Sequence, residues 1–394
     1  MALVTNLTTP HPLIGINGQL LSAAQSYRSA GVSGYIRQLL LHLPAVAPDL
    51  NLLAFVPAAT LSAQPGLALH SDSRWDTTHP WRRILWEQSA LPWLAARQRL
   101  ALLHNTVNVS PLLAPCPQLI TVHDLAFMRY PQAFRGPHRR YLQSQVRRSV
   151  RRARAVIAVS EATKRDLVTF FGVSPERVTV IYNGVDAAFT PAPAEAVAAF
   201  RARKALPERF LLHLGTLEPR KNLTRLVQAF ARVRTRDTGQ PRLKLVLAGG
   251  KGWSYDSIFA EVERLGLADD VLFPGYIDDR ELADWYRAAT LFVYPSLMEG
   301  FGLPVLEAMA CGAVVVTSNV SSLPEVAGNA ALLVDPTDVE ALAEALLGLL
   351  HVPELAAELR ARSVQQAARF SWQRTAEQTA ALYRRMLDDS GGKA

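Results

Sequence analysis

Glu299-Gly300-Phe301-Gly302-Leu303-Pro304-Val305-Leu306-Glu307 follows the short apolar run Leu291-Phe292-Val293-Tyr294. The apolar run reads as a buried strand, and Pro304 suits the first position of the helix that continues through 305–310. A strand, a glycine-bearing loop and a helix N-terminus in succession leave backbone N–H groups unpaired, with the positive end of the helix dipole behind them. Anions and sugar oxygens settle at such turns. Two carboxylates, Glu299 and Glu307, bracket this one. They would repel a phosphate, but an ionised carboxylate accepts hydrogen bonds from neighbouring hydroxyls of a ribose or a hexose. A ligand charged in its middle and hydroxylated at both ends fits, and a sugar nucleotide has that pattern. The plainer reading is a surface loop with two solvated glutamates before a packed helix.

Around this loop, apolar runs at 210–214, 243–247, 271–273, 291–294, 313–316 and 330–334 alternate with helical segments. That alternation predicts an α/β parallel sheet covered on both faces. Three runs end in glycine, at Gly215, Gly249-Gly250 and Gly275. The first leads into Gly215-Thr216-Leu217-Glu218-Pro219-Arg220-Lys221-Asn222. Gly215 permits close backbone approach, and Asn222 is placed to cap the next helix. Arg220 and Lys221 together can neutralise a diphosphate, the one as a fork and the other as a point charge. An isolated Arg-Lys would be a solvated basic pair; here it shares a sheet and a turn type with the glutamate loop.

The first half alternates in the same way, with strands at 13–16, 50–56, 101–103, 118–122, 155–159 and 178–181. Gly31-Val32-Ser33-Gly34 ends a loop before a helix at 35–41, where an oxyanion could sit or a tight turn suffice. The strand at 118–122 runs straight into His123-Asp124, at the strand end where open α/β sheets bind ligands. His123 either meets a donor sugar near its leaving phosphate or is held structurally by Asp124. Ser160 caps a helix that Gly172 ends. Prolines 191, 193 and 207 mark a connection over 191–208, and 371–388 reads as a final helix anchored by Trp372 and Tyr383.

With 394 residues, two domains are expected. No window approaches a membrane span, and the N-terminus lacks the pattern of a secretory signal. Two cysteines, Cys116 and Cys311, suit a reducing compartment, so a cytoplasmic location is expected. Of the net charge of +8, seven positive charges lie at Arg139, Arg140, Arg147, Arg148, Arg151, Arg152 and Arg154. Leu142, Val146 and Val150 give this segment an apolar stripe. Two readings stand: a helix lying peripherally on anionic lipid at the inner membrane face, or a core-facing helix with a solvated basic side. Nucleic acid is not an expected partner, since no recognition module accompanies the charge.

No Asp-x-Asp and no His/Cys cluster occurs, so the reading is of chemistry without a metal or other cofactor, in which protein cations stabilise the leaving phosphate. At this point the chain resembles the retaining glycosyltransferases of family four, with two Rossmann-like domains in the arrangement called GT-B. The resemblance rests on Gly31-Val32-Ser33-Gly34, Val122-His123-Asp124, Val159-Ser160-Glu161-Ala162-Thr163, Asn183-Gly184-Val185-Asp186, Glu218-Pro219-Arg220-Lys221-Asn222 and the 299–307 loop. It runs nearly end to end, and together these motifs are specific.

The resemblance implies an acceptor-side domain at 1–190, joined by the final helix at 371–388, and a nucleotide-sugar domain at 209–370. It implies that Glu299 lies beside the donor sugar, with Gly300, Phe301, Gly302 and Leu303 contacting sugar and phosphate. Glu307 would hold the ribose hydroxyls, and Arg220 and Lys221 the diphosphate. His123 would lie near the sugar and the base near Gly275 and Tyr276. Gly31, Val32, Gly34 and Gly215 complete the donor set. Within the family, 125–131, 247–253 and 317–325 look most like bacterial surface-polysaccharide mannosyltransferases, which makes GDP-mannose the expected donor and a glycan or lipid-linked glycan the expected acceptor. The alternatives are a nucleotide-sugar epimerase of the same architecture and a noncatalytic nucleotide-sugar-binding subunit.

Overall fold

The computed structural model describes residues 12–22, 30–71, 75, 77, 79–134 and 136–391. The chain divides into two compact units, 1–184 with 372–394, and 185–371. Among the described residues the first unit carries β1 (Leu13–Asn17), β2 (Asn51–Phe55), β3 (Leu67–His70), β4 (Leu102–Asn105), β5 (Gln118–Val122), β6 (Ala155–Ala158) and β7 (Val178–Val180). They form one parallel sheet in the order β3-β2-β1-β4-β5-β6-β7. Strands such as β5 are buried from end to end, which suits Val, Ile and Leu under helices on both faces. The helix Trp372–Gly391 belongs to this unit. Its Tyr383 hydroxyl meets His104 Nδ1 at 2.6 Å, and Thr375 donates to the Tyr182 carbonyl at 2.7 Å. Burial pushes His104 down to about 3, so a neutral imidazole bridges Tyr383 and Thr121 in the core.

The second unit carries β8 (Phe210–Leu214), β9 (Lys244–Ala248), β10 (Val271–Gly275), β11 (Leu291–Tyr294), β12 (Val315–Ser318) and β13 (Leu332–Val334). The order is β10-β9-β8-β11-β12-β13, again all parallel. In each sheet the strand order reverses once, between β1 and β4 and between β8 and β11. Loops on either side of such a reversal leave in opposite directions and open a crevice at the strands' carboxyl ends. The helix Leu223–Arg236 covers one face with Leu226, Val227, Phe230 and Val233, all fully buried.

Three sequence readings change. Gly31, Val32 and Gly34 lie inside the first turns of the helix Ala30–Val46 rather than in a loop before it. A Cβ at either glycine would meet nothing within 4 Å, so no close approach explains them. The 191–208 stretch falls inside the second unit: its helix Ala194–Arg203 sets Phe200 edge-on to Trp285 at 6.1 Å, and Arg201 Nε donates to the Ala288 carbonyl at 3.0 Å. Strand β3 and the helices Pro80–Gln88 and Ala90–Arg97 have no counterpart in the periodicity reading.

Gly249 is where the sheet is tightest. Its φ is +142°, and a Cβ there would lie 1.9 Å from the Gly215 carbonyl oxygen. Gly249→Ala is expected to cost about 2–3 kcal/mol from overpacking against backbone. Urea unfolding should show a lower midpoint; an unchanged midpoint would contradict this packing.

Candidate functional site

The crevice between β8 and β11 gathers Glu218, Arg220, Lys221 and Glu299. After β8, the turn Pro219–Lys221 presents Arg220 and Lys221. After β11 comes the loop carrying Glu299. Lys221 Nζ donates to Glu299 Oε1 at 2.6 Å and to the Tyr294 hydroxyl at 2.6 Å. Arg220 Nη1 donates to Glu299 Oε2 at 3.0 Å and to the Met298 carbonyl at 2.7 Å. The other edge of its guanidinium, Nε and Nη2, binds Glu218 Oε1 at 3.1 and 2.7 Å. One carboxylate therefore joins both cations.

Three further bonds fasten the loops together. The Leu297 N–H donates to the Arg220 carbonyl at 2.9 Å. Asn222 stands at the N-cap position with φ +62°, but its side chain does not cap the helix. Its Nδ2 donates instead to the Pro295 and Pro336 carbonyls at 3.1 and 2.6 Å. The expected cap is thus a clamp between loops, in a left-handed conformation that Asn tolerates.

The glutamate loop is also held from beyond β12. Ser321 Oγ accepts the Glu299 N–H at 3.1 Å and donates to the Glu299 carbonyl at 2.5 Å. Ser322 Oγ donates to the Phe301 carbonyl at 2.7 Å. The Glu299 N–H is therefore not open to solvent, contrary to the simple picture of a turn with unpaired donors. The helix begins at Leu303, one residue earlier than expected, with Pro304 in its first turn and Gly302 at φ +109° before it.

Glu299 and Glu307 differ sharply in charge state. Burial pushes the Glu299 carboxyl up, but the Arg220 and Lys221 charges reverse this and hold it at about 2. For Lys221, burial and the neighbouring Arg220 lower its pKa, against the opposing pull of Glu299. Among the described residues no cation pairs with Glu307. Burial raises it to about 7, with the Tyr286 hydroxyl donating to its Oε2 at 2.9 Å and Asp279 and Asp186 adding like charge.

His213, in β8, was not singled out by sequence reading. It stacks on Tyr294 with ring centroids 5.3 Å apart. Its Nδ1 lies 3.1 Å from the Val293 carbonyl, which can only accept, so Nδ1 carries the proton and Nε2 is an acceptor. That Nε2 is buried without a partner among the described residues and faces the Gly215 turn. Burial pushes the ring down to about 3. The signal in the sequence was a histidine inside an otherwise apolar strand.

Gly215 follows β8 and Gly275 ends β10, with φ +158° and +81°, and Tyr276 beside Gly275 is 41% exposed, its hydroxyl donating to Asp279 at 2.9 Å. In the first unit, His123 follows β5 with Nε2 2.8 Å from the Thr106 carbonyl and its ring edge-on to Tyr35 at 4.9 Å. Burial pulls its pKa down, against Thr106 and Asp124, so it is a neutral donor anchored to Thr106. The arginine-rich helix Gly136–Arg152 buries Val146, Ser149 and Val150, with Leu142 half-buried, so its apolar stripe faces the core. Among the described residues no cluster of His, Cys, Asp and Glu comes together that could hold a metal ion, and no helix is long and apolar enough to cross a membrane.

Two α/β units with charged groups at a strand reversal define a GT-B glycosyltransferase architecture. Sucrose-phosphate synthase from Thermosynechococcus elongatus matches 96% of this chain and 100% of its own, with a TM-score of 0.76 at 26% identity. Residues 29–189 match the Glycosyltransferase Family 4 model and residues 194–369 that of Glycosyl transferases group 1. The chain is 35% identical to O-antigen chain mannosyltransferase B of Escherichia coli over 67% of this chain and 69% of that one. It is 31% identical to the serotype-specific mannosyltransferase WbdA of Escherichia coli over 72% of its own length, but spans only 35% of that protein. It is 37% identical to D-inositol 3-phosphate glycosyltransferase of Thermobispora bispora over 59% of this chain and 56% of that one. The chain belongs to the family 4 glycosyltransferases.

The two glutamates should have opposite pH signatures. Glu307 is raised, so its contribution to stability is lost as pH climbs from about 4.5 to about 7 and is level above that. Glu299 is depressed, so its contribution holds above about 4.5 and is lost as pH falls towards about 2. Thermal midpoints across this range should show Glu307→Gln flattening the upper decline. An unaltered slope in that variant would assign the decline to another group.

Proposed function

We propose that the second unit binds a nucleoside-diphosphate sugar at the β8/β11 crevice and that the enzyme transfers a hexose, mannose from GDP-mannose, to a glycan or lipid-linked glycan with retention and without a metal. The observation that carries this reading is the convergence of Arg220 and Lys221 on Glu299 where the strand order reverses. Lys221 spends two of its three N–H donors on Glu299 and Tyr294 and has a third for a phosphate oxygen. Glu299, charged at neutral pH, is no general acid; it sets the cations and accepts from a sugar hydroxyl. The leaving diphosphate, stabilised by the two cations, takes the acceptor hydroxyl's proton, so no enzymic base is required. Glu307 accepts from the ribose diol, Gly275 and Tyr276 border the base, and Gly300, Phe301, Gly302 and Leu303 line sugar and phosphate. The acceptor places the enzyme at the cytoplasmic membrane face.

The names of two mannosyltransferase relatives support mannose, and the inositol-phosphate relative supports a second reading with a phosphorylated polyol acceptor. Incubation with GDP-mannose and both acceptor classes should release GDP and yield a mannosylated product in the presence of chelator. Loss of turnover on chelation, restored by a divalent ion, overturns the metal-free part; no GDP release overturns mannose as the transferred sugar. Conversion of donor without acceptor would indicate the epimerase instead.

Arg220→Ala and Lys221→Ala should each weaken nucleoside-diphosphate binding by about 1.5–3 kcal/mol, the worth of a charged hydrogen bond. Titration calorimetry with GDP, UDP and ADP measures this and ranks the bases. Unchanged affinity in both variants removes the pair from the site.

A further inference from the structure

The helices Pro80–Gln88 and Ala90–Arg97 meet at Ser89. Hydrogen bonding continues through the junction, with the Ser89 N–H donating to the Leu85 carbonyl at 3.0 Å and the Trp93 N–H to the Ser89 carbonyl at 3.4 Å. Residues four apart therefore stay on one side. The inner side is ordinary: Trp86, Leu91, Leu94 and Ala95 are buried in the first unit's core. The outer side is not. Trp81 is 62% exposed, Leu85 50% and Trp93 56%. A guanidinium lies over each tryptophan, Arg82 at 5.1 Å from the Trp81 ring and Arg97 at 5.2 Å from the Trp93 ring.

This stripe adjoins the arginine-rich helix. Gln88, beside the junction, accepts the Leu112 N–H at 3.0 Å and donates to the Ser110 carbonyl at 3.2 Å. From the other side Arg152 donates to the Leu112 carbonyl, and the Ser110 N–H donates to Ser149 Oγ at 2.9 Å. Leu113, 78% exposed, stands on this bridge. The basic helix keeps Arg140, Arg147, Arg148, Arg151 and Arg152 exposed.

We propose that Trp81, Leu85, Trp93 and Leu113 form a wedge that enters the headgroup layer of an anionic bilayer, with the arginines of Gly136–Arg152 held to its phosphates. Tryptophan suits that layer because its ring is apolar while its N–H still finds partners. The arginine side chains supply the charge complementarity, and amphipathic helices with a cationic flank bind lipid by both terms. The surface is independent of which sugar the enzyme transfers.

The test uses the full chain and vesicles of phosphatidylcholine alone or mixed with phosphatidylglycerol. Co-sedimentation is expected only with the anionic vesicles, fading as salt rises. Trp81→Ser/Trp93→Ser should partition about tenfold more weakly while melting at the wild-type temperature. Arg147→Glu/Arg148→Glu should also release the vesicles. Equal partition by the tryptophan variant overturns the wedge even if the arginine variant releases. So does failure of the wild type to bind at low salt, or a dimer in sedimentation velocity that the tryptophan variant dissolves, which would assign the stripe to a second copy.

Discussion

The second unit depends on one buried carboxylate shared by two cations. Glu299 is 8% exposed and Lys221 7%, so neither charge is well hydrated. Burying ions costs several kcal/mol each unless partners and hydrogen bonds answer them. Here both carboxylate oxygens have cationic donors, at 2.6 and 3.0 Å, and Lys221 has the Tyr294 hydroxyl as well. Because the donors come from the turn after β8 and the acceptor from the loop after β11, the ion cluster also fixes the width of the crevice. The Leu297 and Asn222 bonds reinforce the same pairing of loops.

That cluster is electrically balanced: Arg220 and Lys221 face Glu218 and Glu299. A diphosphate is therefore not drawn there by an excess of local charge. The diphosphate proposed to bind there would gain instead by redirecting donors already in place, which are pre-organised and need little reordering. The chain's net positive charge resides chiefly in the first unit's helix Gly136–Arg152, where solvent screens it. The basic composition is thus a separate matter from the proposed phosphate recognition.

Most strands were legible because parallel strands buried on both faces read as continuous apolar runs, and Gln118–Val122, Phe210–Leu214 and Leu291–Tyr294 match residue for residue. The helix from Glu161, with Ser160 accepting from the Thr163 N–H and Gly172 at φ +63°, was equally plain because its caps are local. What failed was non-local. The helices at 80–97 carry apolar residues on both sides, which blurs the period that reveals a helix. Ser321 and Ser322 serve the glutamate loop from over twenty residues away, and His213 looks like any strand residue until Tyr294 stacks on it. Arg220, Lys221 and Glu299 stand out in the sequence because short turns at strand ends expose their chemistry, although their mutual ion pairing is a tertiary fact.

The pair Glu299 and Glu307 shows why residue type alone could not settle the site. Both are glutamates, both flank one loop, and desolvation pushes both towards the neutral form. At Glu299 two cations overcome that push; at Glu307 the Tyr286 phenol opposes it too weakly, and two nearby aspartates add to it. A group held at about 2 keeps its charge throughout the physiological range and is suited to positioning. A group poised near 7 changes charge with a small change in surroundings, and a hydrogen-bond donor brought to it would favour the ionised form. The loop thus has a permanently charged end and a responsive one, and the difference comes from the neighbours that the two strand-end turns supply.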